Sequence, residues 1–170
     1  MTSLVPVGWS YLGASASNGA GDTEGVIVRQ VGVGEELIVP ITNWSLVWSD
    51  AGSGHNTNYM LWRGVPPSGY IAMGSAFVRT AKSNGWAPPS IDQTRGIVAL
   101  KSSLIVLVKA GRRIWTDAGS GARQDGSVWE ISTTGYPLAI NTGTFASADG
   151  HNTAPVLVSA IDRTKVNLVE

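Results

Sequence analysis

The sequence predicts an all-β, antiparallel fold that is built from internal repeats. Short runs of β-branched and aromatic residues, such as residues 37–39, 96–100 and 155–158, are bounded by turn-forming residues. The 170 residues include 21 glycines and 8 prolines, which interrupt the chain too often for long helices. Regular short strands with such turn signals are typical of an antiparallel sandwich, barrel or prism.

One segment of the chain occurs twice. Residues 48–54 read Trp-Ser-Asp-Ala-Gly-Ser-Gly, and residues 115–121 read Trp-Thr-Asp-Ala-Gly-Ser-Gly, 67 residues later and without a gap. Trp62 matches Trp129 at the same spacing. Recurrence at a fixed spacing is the signature of a repeated structural unit. The two segments are therefore predicted to occupy equivalent positions, with their matched tryptophans packed in the core.

A Gly-aromatic element occurs three times, at residues 8–13, 69–74 and 135–140, and the third copy lacks the final glycine. Three copies favour pseudo-threefold symmetry. The predicted repeat units of the single domain, 1–170, are approximately 1–58, 59–126 and 127–170.

The predicted fold can close as three lobes if residues 1–7 supply the strand that corresponds to residues 59–66 and to residues 126–132. Strand edges that stay exposed in such a fold would allow a homodimer.

Composition excludes several functions. With 43% hydrophobic and 14% charged residues the chain can bury a core, and its 12 basic and 12 acidic side chains leave no basic footprint for nucleic acid. The lack of cysteine excludes disulfides and thiolate sites. The first ten residues do not have the pattern of a signal peptide, and the longest apolar run, residues 104–108, is far too short to span a membrane. We expect a cytoplasmic protein.

Three strings resemble a known family. Residues 62–74 read Trp-Arg-Gly-Val-Pro-Pro-Ser-Gly-Tyr-Ile-Ala-Met-Gly, residues 114–122 read Ile-Trp-Thr-Asp-Ala-Gly-Ser-Gly-Ala, and residues 125–129 read Asp-Gly-Ser-Val-Trp. These strings resemble the repeats of the fungal and plant vacuolar-protein-sorting-related "sixty-two" family, and the resemblance covers most of the chain. It implies a three-lobed β-prism-like domain, similar to the β-prisms of multivesicular-body components and some pore-forming toxins, which are targeting modules for membranes or glycans.

The third unit departs from this family pattern. Thr133 and Thr134 replace the prolines, and Asn141 follows Ile140 in place of a glycine. We expect the last loop to differ in shape for this reason.

The glycine-rich loops are the best candidates for ligand contact. Glycine brings backbone N–H groups close to a partner and Asp offers a strong acceptor, which together suit sugar hydroxyls, although Asp also caps tight turns. The string Gly-His-Asn-Thr occurs at both 54–57 and 150–153, and Trp86 lies in a turn-rich loop where it could stack on a sugar. The predicted ligand-binding residues are Asp50, Gly54, His55, Asn56, Trp86, Asp117, Gly121, Arg123, Asp125, Asp149, His151 and Asn152.

Catalytic and metal sites are not predicted. Ser53 and Ser120 lack the outer glycines of a nucleophile elbow, and the chain has only two histidines for a zinc site. Calcium stays open because several aspartates lie near turns, but without a fixed ligand spacing.

The sequence thus favours a non-enzymatic, lectin-like module for neutral glycans that needs no cofactor. The alternative is a lipid or membrane-targeting module, for which basic residues could form a local patch: Arg63, Arg79, Lys82, Lys101, Lys109, Arg112, Arg113 and Arg123.

Overall fold

The computed structural model describes residues 5–16 and 25–169. Within these ranges the chain forms fourteen strands in five antiparallel sheets, and the predicted all-β class is confirmed. The strands are β1 (Ser10–Tyr11), β2 (Ile27–Val28), β3 (Ile38–Pro40), β4 (Asn43–Ser49), β5 (Thr57–Val65), β6 (Tyr70–Ala72), β7 (Ser75–Ala81), β8 (Val98–Lys101), β9 (Ile105–Val108), β10 (Ala110–Thr116), β11 (Gly126–Ile131), β12 (Ala139–Ile140), β13 (Phe145–Asp149) and β14 (Val158–Asp162).

Helical structure is limited to single turns in the described part of the chain. A short helix, α1 (Ile91–Thr94), lies between β7 and β8, and its N-terminus is closed by a capping box from Ser90 and Gln93. Turns of 3-10 helix occur at Lys82–Asn84, Ser102–Leu104 and Arg163–Lys165. No helix among the described residues has the length and apolar character needed to cross a bilayer.

The sequence repeat is also a repeat of strands. In the first half of the chain β4-β5-β7 form one sheet and β3-β8-β6 another, and β10-β11-β13 and β9-β14-β12 repeat this arrangement in the second half. Both β4 and β10 have a register shift immediately before their tryptophan, Trp48 or Trp115. A bulge redirects the side chains that follow it, so the two tryptophans emerge from their strands in equivalent positions.

The Gly-aromatic element forms the same turn in three separate sheets. The backbone N–H groups of Trp9, Tyr70 and Tyr136 donate to the carbonyl oxygens of residues 6, 67 and 133, at 3.1, 3.2 and 3.0 Å. The third residues of these turns, Gly8, Gly69 and Gly135, have φ values of 83°, 85° and 81°. This conformation is the left-handed position of a type II turn, which glycine occupies without steric cost.

The third turn therefore does not differ in shape as the sequence suggested. Thr133 accepts the closing hydrogen bond through its carbonyl oxygen, which any residue provides, so the missing proline is not required for the turn. The difference appears further on. The hydroxyl groups of Thr142 and Thr144 lie 2.8 Å apart, and Thr144 donates to the carbonyl oxygen of Met73 at 2.8 Å.

The three sheets that carry these turns meet at a shared core. Leu12, Met73 and Ile161 come from the three lobes and are 1–2% exposed. The lobes approach closely beside this core, since a Cβ on Gly74 would lie 2.9 Å from the Cβ of Thr144 and 3.3 Å from the Cα of Gly13. The three-lobed arrangement is therefore held by one apolar centre that all three lobes line.

A second core lies between sheets β4-β5-β7 and β10-β11-β13. Trp48 is 3% exposed there and meets Trp115 edge to face, with ring centroids 5.0 Å apart. Trp62 is 4% exposed in a neighbouring cluster, whereas Trp115 and Trp129 are half-buried. The predicted core role is thus confirmed for Trp48 and Trp62. Trp115 packs against the edge of the core, and Trp129 donates from Nε1 to the hydroxyl of Ser127 at 2.9 Å.

Strand pairing places the repeats differently from the sequence units. The two structural halves run from β3 to β8 and from β9 to β14, whereas the predicted boundary at residues 58/59 falls inside β5. Sequence similarity gives the period of a repeat but not where a lobe begins. Of the terminal segment 1–7, residues 1–4 lie outside the described residues and residues 5–7 are not in a strand.

Candidate functional site

Four loops meet at one end of the two large sheets, and we call this surface the loop cluster. It consists of residues 50–56, 82–88, 117–125 and 150–153. The two glycine-rich loops touch directly, because the backbone N–H of Arg123 donates to the carbonyl oxygen of Ala51 at 2.8 Å. The hydroxyl of Ser49 also donates to Gln124 Oε1 at 3.0 Å. The duplicated loops therefore form one continuous surface.

The carboxylates of Asp50 and Asp117 point inward, and the prediction that they face a ligand is wrong. The residues are 6% and 4% exposed. Asp117 accepts hydrogen bonds from Trp48 Nε1 at 2.9 Å and from the backbone N–H of Gly126 at 2.7 Å. Asp50 accepts one from Trp86 Nε1 at 3.2 Å. A buried carboxylate requires such donors to offset its loss of hydration, so these aspartates organise the loops from within.

Trp86 and His151 occupy corresponding positions in the two halves. Each follows a glycine with positive φ, 61° at Gly85 and 86° at Gly150, and each directs a ring nitrogen at the buried aspartate of its own half. The distance from His151 Nε2 to Asp117 Oδ1 is 3.0 Å. The Trp86 residue is 44% exposed and the His151 side chain 34% exposed. One half thus presents an indole, and the other an imidazole, over the same kind of anchor.

His151 also connects the buried aspartate to an exposed one. Its Nε2 lies 3.3 Å from Asp125 Oδ1, and the ligand atoms of Asp117, Asp125 and His151 all lie within 4.8 Å of one another. Such a group could offer oxygen and nitrogen ligands to a cation. The distances from Nε2 to the two Oδ1 atoms, 3.0 and 3.3 Å, are also those of an imidazole N–H shared between two carboxylates.

The two Gly-His-Asn-Thr strings have different surroundings. Gly54, His55 and Asn56 are exposed between β4 and β5, where the His55 ring meets Tyr59 edge to face at 6.4 Å. The second string follows β13, and the Nη1 of Arg113 binds the carbonyl oxygen of His151 at 2.7 Å and the side chain of Asn152.

Only the first string therefore presents its side chains freely. The repeated string therefore does not form two similar sites, because Arg113 on β10 holds the second copy.

The remaining predicted residues lie at the margin of the loop cluster. Gly54 and Gly121 are equivalent exposed turn residues with φ values of 82° and 76°. Arg123 is exposed, and its stem covers Gly52, where an added Cβ would lie 2.9 Å from Arg123 Cγ. Asp149 is exposed at the end of β13 and faces a groove that leads away from the loops.

This groove was not predicted. It has a volume of about 550 Å³ and lies between β5–β7 of one half and β13–β14 of the other. Arg63 lines it and donates from Nη2 to the carbonyl oxygen of Ser147 at 2.6 Å. One sequence signal was available, because Arg63 directly follows Met60, Leu61 and Trp62, which are 0–4% exposed. An arginine directly after a buried apolar run indicates that its charge has a partner or a function, because charged side chains are seldom buried without one.

Comparisons with known proteins bear on the fold. The sequence matches no protein-family model and no curated protein. The structure is similar to part of the crystal structure of GNIP1Aa from Chromobacterium piscinae, with a TM-score of 0.69 and 25% sequence identity. The match covers 93% of this chain but 31% of GNIP1Aa.

The fold of this chain therefore also occurs as one part of a longer protein. GNIP1Aa does not bear on the vacuolar-sorting resemblance, which stays a prediction.

Proposed function

We propose that the protein is a non-enzymatic carbohydrate-binding module that holds neutral glycans at the loop cluster. The observation that carries the proposal is Trp86, a residue that is 44% exposed while its Nε1 is hydrogen-bonded to the buried carboxylate of Asp50 at 3.2 Å. A large aromatic ring on a loop is usually free to turn. Here the anchor holds the ring in one orientation and leaves part of it open to solvent.

A fixed, half-exposed indole suits the apolar face of a sugar ring. Stacking buries the C–H face of the sugar against the aromatic face, and a ring that is already held loses little further conformational freedom on binding. The sugar hydroxyls then need donors and acceptors close by. Exposed groups of both kinds lie in the same loop cluster, on His55, Asn56 and Arg123.

The corresponding position in the second half supports a second, weaker subsite. His151 takes the place of Trp86 there and is flanked by the exposed carboxylate of Asp125. An imidazole offers less apolar area than an indole but can bind a hydroxyl. Two adjacent weak subsites on one rigid surface favour multivalent glycans over single sugars.

Binding to an array of neutral glycans, compared between wild type and Trp86→Ala, tests this proposal. We expect Trp86→Ala to weaken binding by about two- to twelvefold, in line with the roughly 0.5–1.5 kcal/mol typical of aromatic pairs. Trp86→Phe keeps an apolar face but loses the bond to Asp50, so its affinity should lie between the two. Ile91→Ala removes another exposed apolar side chain, 82% exposed, and serves as the matched control. Wild-type affinity in Trp86→Ala, with an unchanged melting temperature, would refute the proposal.

A second candidate, binding to a lipid surface, is favoured by a different part of the molecule. Val31 and Val33 are 78% and 104% exposed in the segment between β2 and β3. Two exposed apolar side chains that are separated only by Gly32 suit insertion into the headgroup region of a membrane. The basic patch expected from the sequence gives less support, because Lys101 is paired with Glu35 and Arg112 with Glu130.

Vesicle flotation distinguishes this candidate from the first. A Val31→Ser, Val33→Ser double variant should lose capture on vesicles and keep glycan binding, if lipid is the ligand of that loop. Capture that requires anionic lipid but is unchanged in the double variant would indicate that vesicle binding is driven by charge and not by these valines.

A further inference from the structure

We propose that the groove lined by Arg63 is a second binding site, specific for a sugar that carries a carboxylate. The inference deepens the proposed function, on which it rests, by assigning an acidic ligand to a site separate from Trp86. The groove runs between β5–β7 and β13–β14 and has a volume of about 550 Å³, within the range of small-molecule sites.

Arg63 supplies the cation for this site. Its Nη2 donates to the carbonyl oxygen of Ser147 at 2.6 Å, which orients the guanidinium against the edge strand β13. Among the described residues, no carboxylate lies within 4.0 Å of it, and Nε and Nη1 have no protein acceptor. The planar donor edge of arginine matches the two oxygens of a carboxylate. The groove thus contains an oriented guanidinium whose charge the described protein residues leave unpaired.

Asp149 provides a complementary group further along the same groove. It is two residues beyond Ser147 on β13, about 6–7 Å further along the strand than the residue whose carbonyl oxygen holds Arg63, and both residues line the groove. Asp149 is exposed and forms no ion pair within the described part of the chain. An unpaired cation and an unpaired anion thus line one groove without neutralising each other. A ligand with a carboxylate at one end and hydroxyl donors at the other satisfies both.

The rest of the lining suits a sugar ring better than a phosphate. Ala72, Ala146 and Leu157 provide small or apolar surface, and Leu157 is 52% exposed. The hydroxyls of Ser75 and Ser147 are bonded to each other at 2.8 Å and buried. A dianionic phosphate would have one guanidinium to pair with and would also face the Asp149 carboxylate. A single negative charge is the better match.

Titration with D-glucuronate, followed by NMR of the backbone amides at pH 7, tests the assignment. Glucose and the methyl ester of glucuronic acid are the controls, since both keep the sugar ring but lack the charge. We expect saturable shifts at Ser147, Asp149 and Leu157 with glucuronate, and affinity at least about tenfold weaker for both controls. Acetate carries the charge without the ring and should also bind at least about tenfold more weakly.

Variants distinguish this site from the loop cluster. Arg63→Gln should lose about tenfold or more in glucuronate affinity, and Asp149→Asn, a change at an exposed residue that leaves the core intact, should lose a smaller factor. Trp86→Ala should leave glucuronate binding unchanged. Equal shifts with glucose, equal affinity for acetate, or shifts confined to the loop cluster would each overturn the assignment. Failure of the proposed neutral-glycan function would give a different result. Binding to the glycan array would then not depend on Trp86.

Discussion

Replacement of Asp117 by alanine should destabilise the fold far more than the same change at Asp50, although the two residues are equivalent in sequence. Asp117 accepts from Trp48 Nε1 at 2.9 Å and from the N–H of Gly126 at 2.7 Å, and both of these donor residues are buried. Asp50 accepts from Trp86 Nε1 at 3.2 Å, and Trp86 is 44% exposed.

The magnitude follows from which donors lose their acceptor. A buried donor left without a partner costs about 1–3 kcal/mol, so two such donors put the loss for Asp117→Ala at about 2–6 kcal/mol. Water can reach the Trp86 ring after Asp50→Ala, which limits that loss to about 1 kcal/mol. For a chain of this length about 2–6 kcal/mol corresponds to a fall in melting temperature of about 4–24 °C.

Urea unfolding at pH 7, followed by circular dichroism and tryptophan fluorescence, measures both variants against the wild type. A shifted midpoint with an unchanged slope would attribute the difference to native-state stability. The reasoning fails if Asp117→Ala loses less than about 1 kcal/mol, or no more than Asp50→Ala, because the buried donors would then have found other partners.

Two further substitutions have defined outcomes. Gly126→Ala should lower the free energy of unfolding in urea by about 1–3 kcal/mol, because its Cβ would lie 2.7 Å from the Trp48 ring. Gly25→Ala is the control and should lower it much less, since the nearest contact of its Cβ is at 3.9 Å. Equal losses in the two variants would contradict this reasoning. The hydroxyl and backbone N–H of Thr164 donate to Asp162 and hold the pKa of its carboxyl below the ordinary value. These hydrogen bonds therefore stabilise the fold at pH values above the pKa of Asp162 in the unfolded chain. That stabilisation is lost as the pH falls through the pKa of Asp162 in the folded protein. Thr164→Ala should raise the Asp162 pKa in an NMR titration while Thr164→Ser should not, and an unchanged pKa in the alanine variant would exclude the hydroxyl as its cause.

The local turns and the repeat were predictable because their causes are local. Glycine is required where the chain turns with positive φ, so the three Gly-aromatic elements identify three equivalent turns without knowledge of their neighbours. The duplicated Trp-x-Asp segments likewise mark equivalent strands, since copies with the same pattern of apolar and turn residues adopt the same local structure. The chemical type of the loop residues was also visible in the sequence.

The direction of the side chains in these loops was not predictable. Trp48 and Asp117 are 69 positions apart, and their hydrogen bond exists because two lobes pack together. Nothing near Asp117 in the sequence distinguishes a carboxylate that faces solvent from one that accepts an indole N–H from another sheet. The surroundings of the second Gly-His-Asn-Thr string were not predictable for the same reason, since Arg113 reaches it from β10, two strands away in the same sheet.

The sequence by itself determined the class of strands, the repeat and the turn positions, because these depend on residues adjacent in the chain. Only the tertiary structure decided which polar groups are buried and where two lobes leave space between them. Arg63 and Asp149 share a groove because β13 packs against the sheet that contains β5, and that contact joins residues far apart in sequence. Packing between lobes depends on the shapes of whole faces, which no single segment encodes.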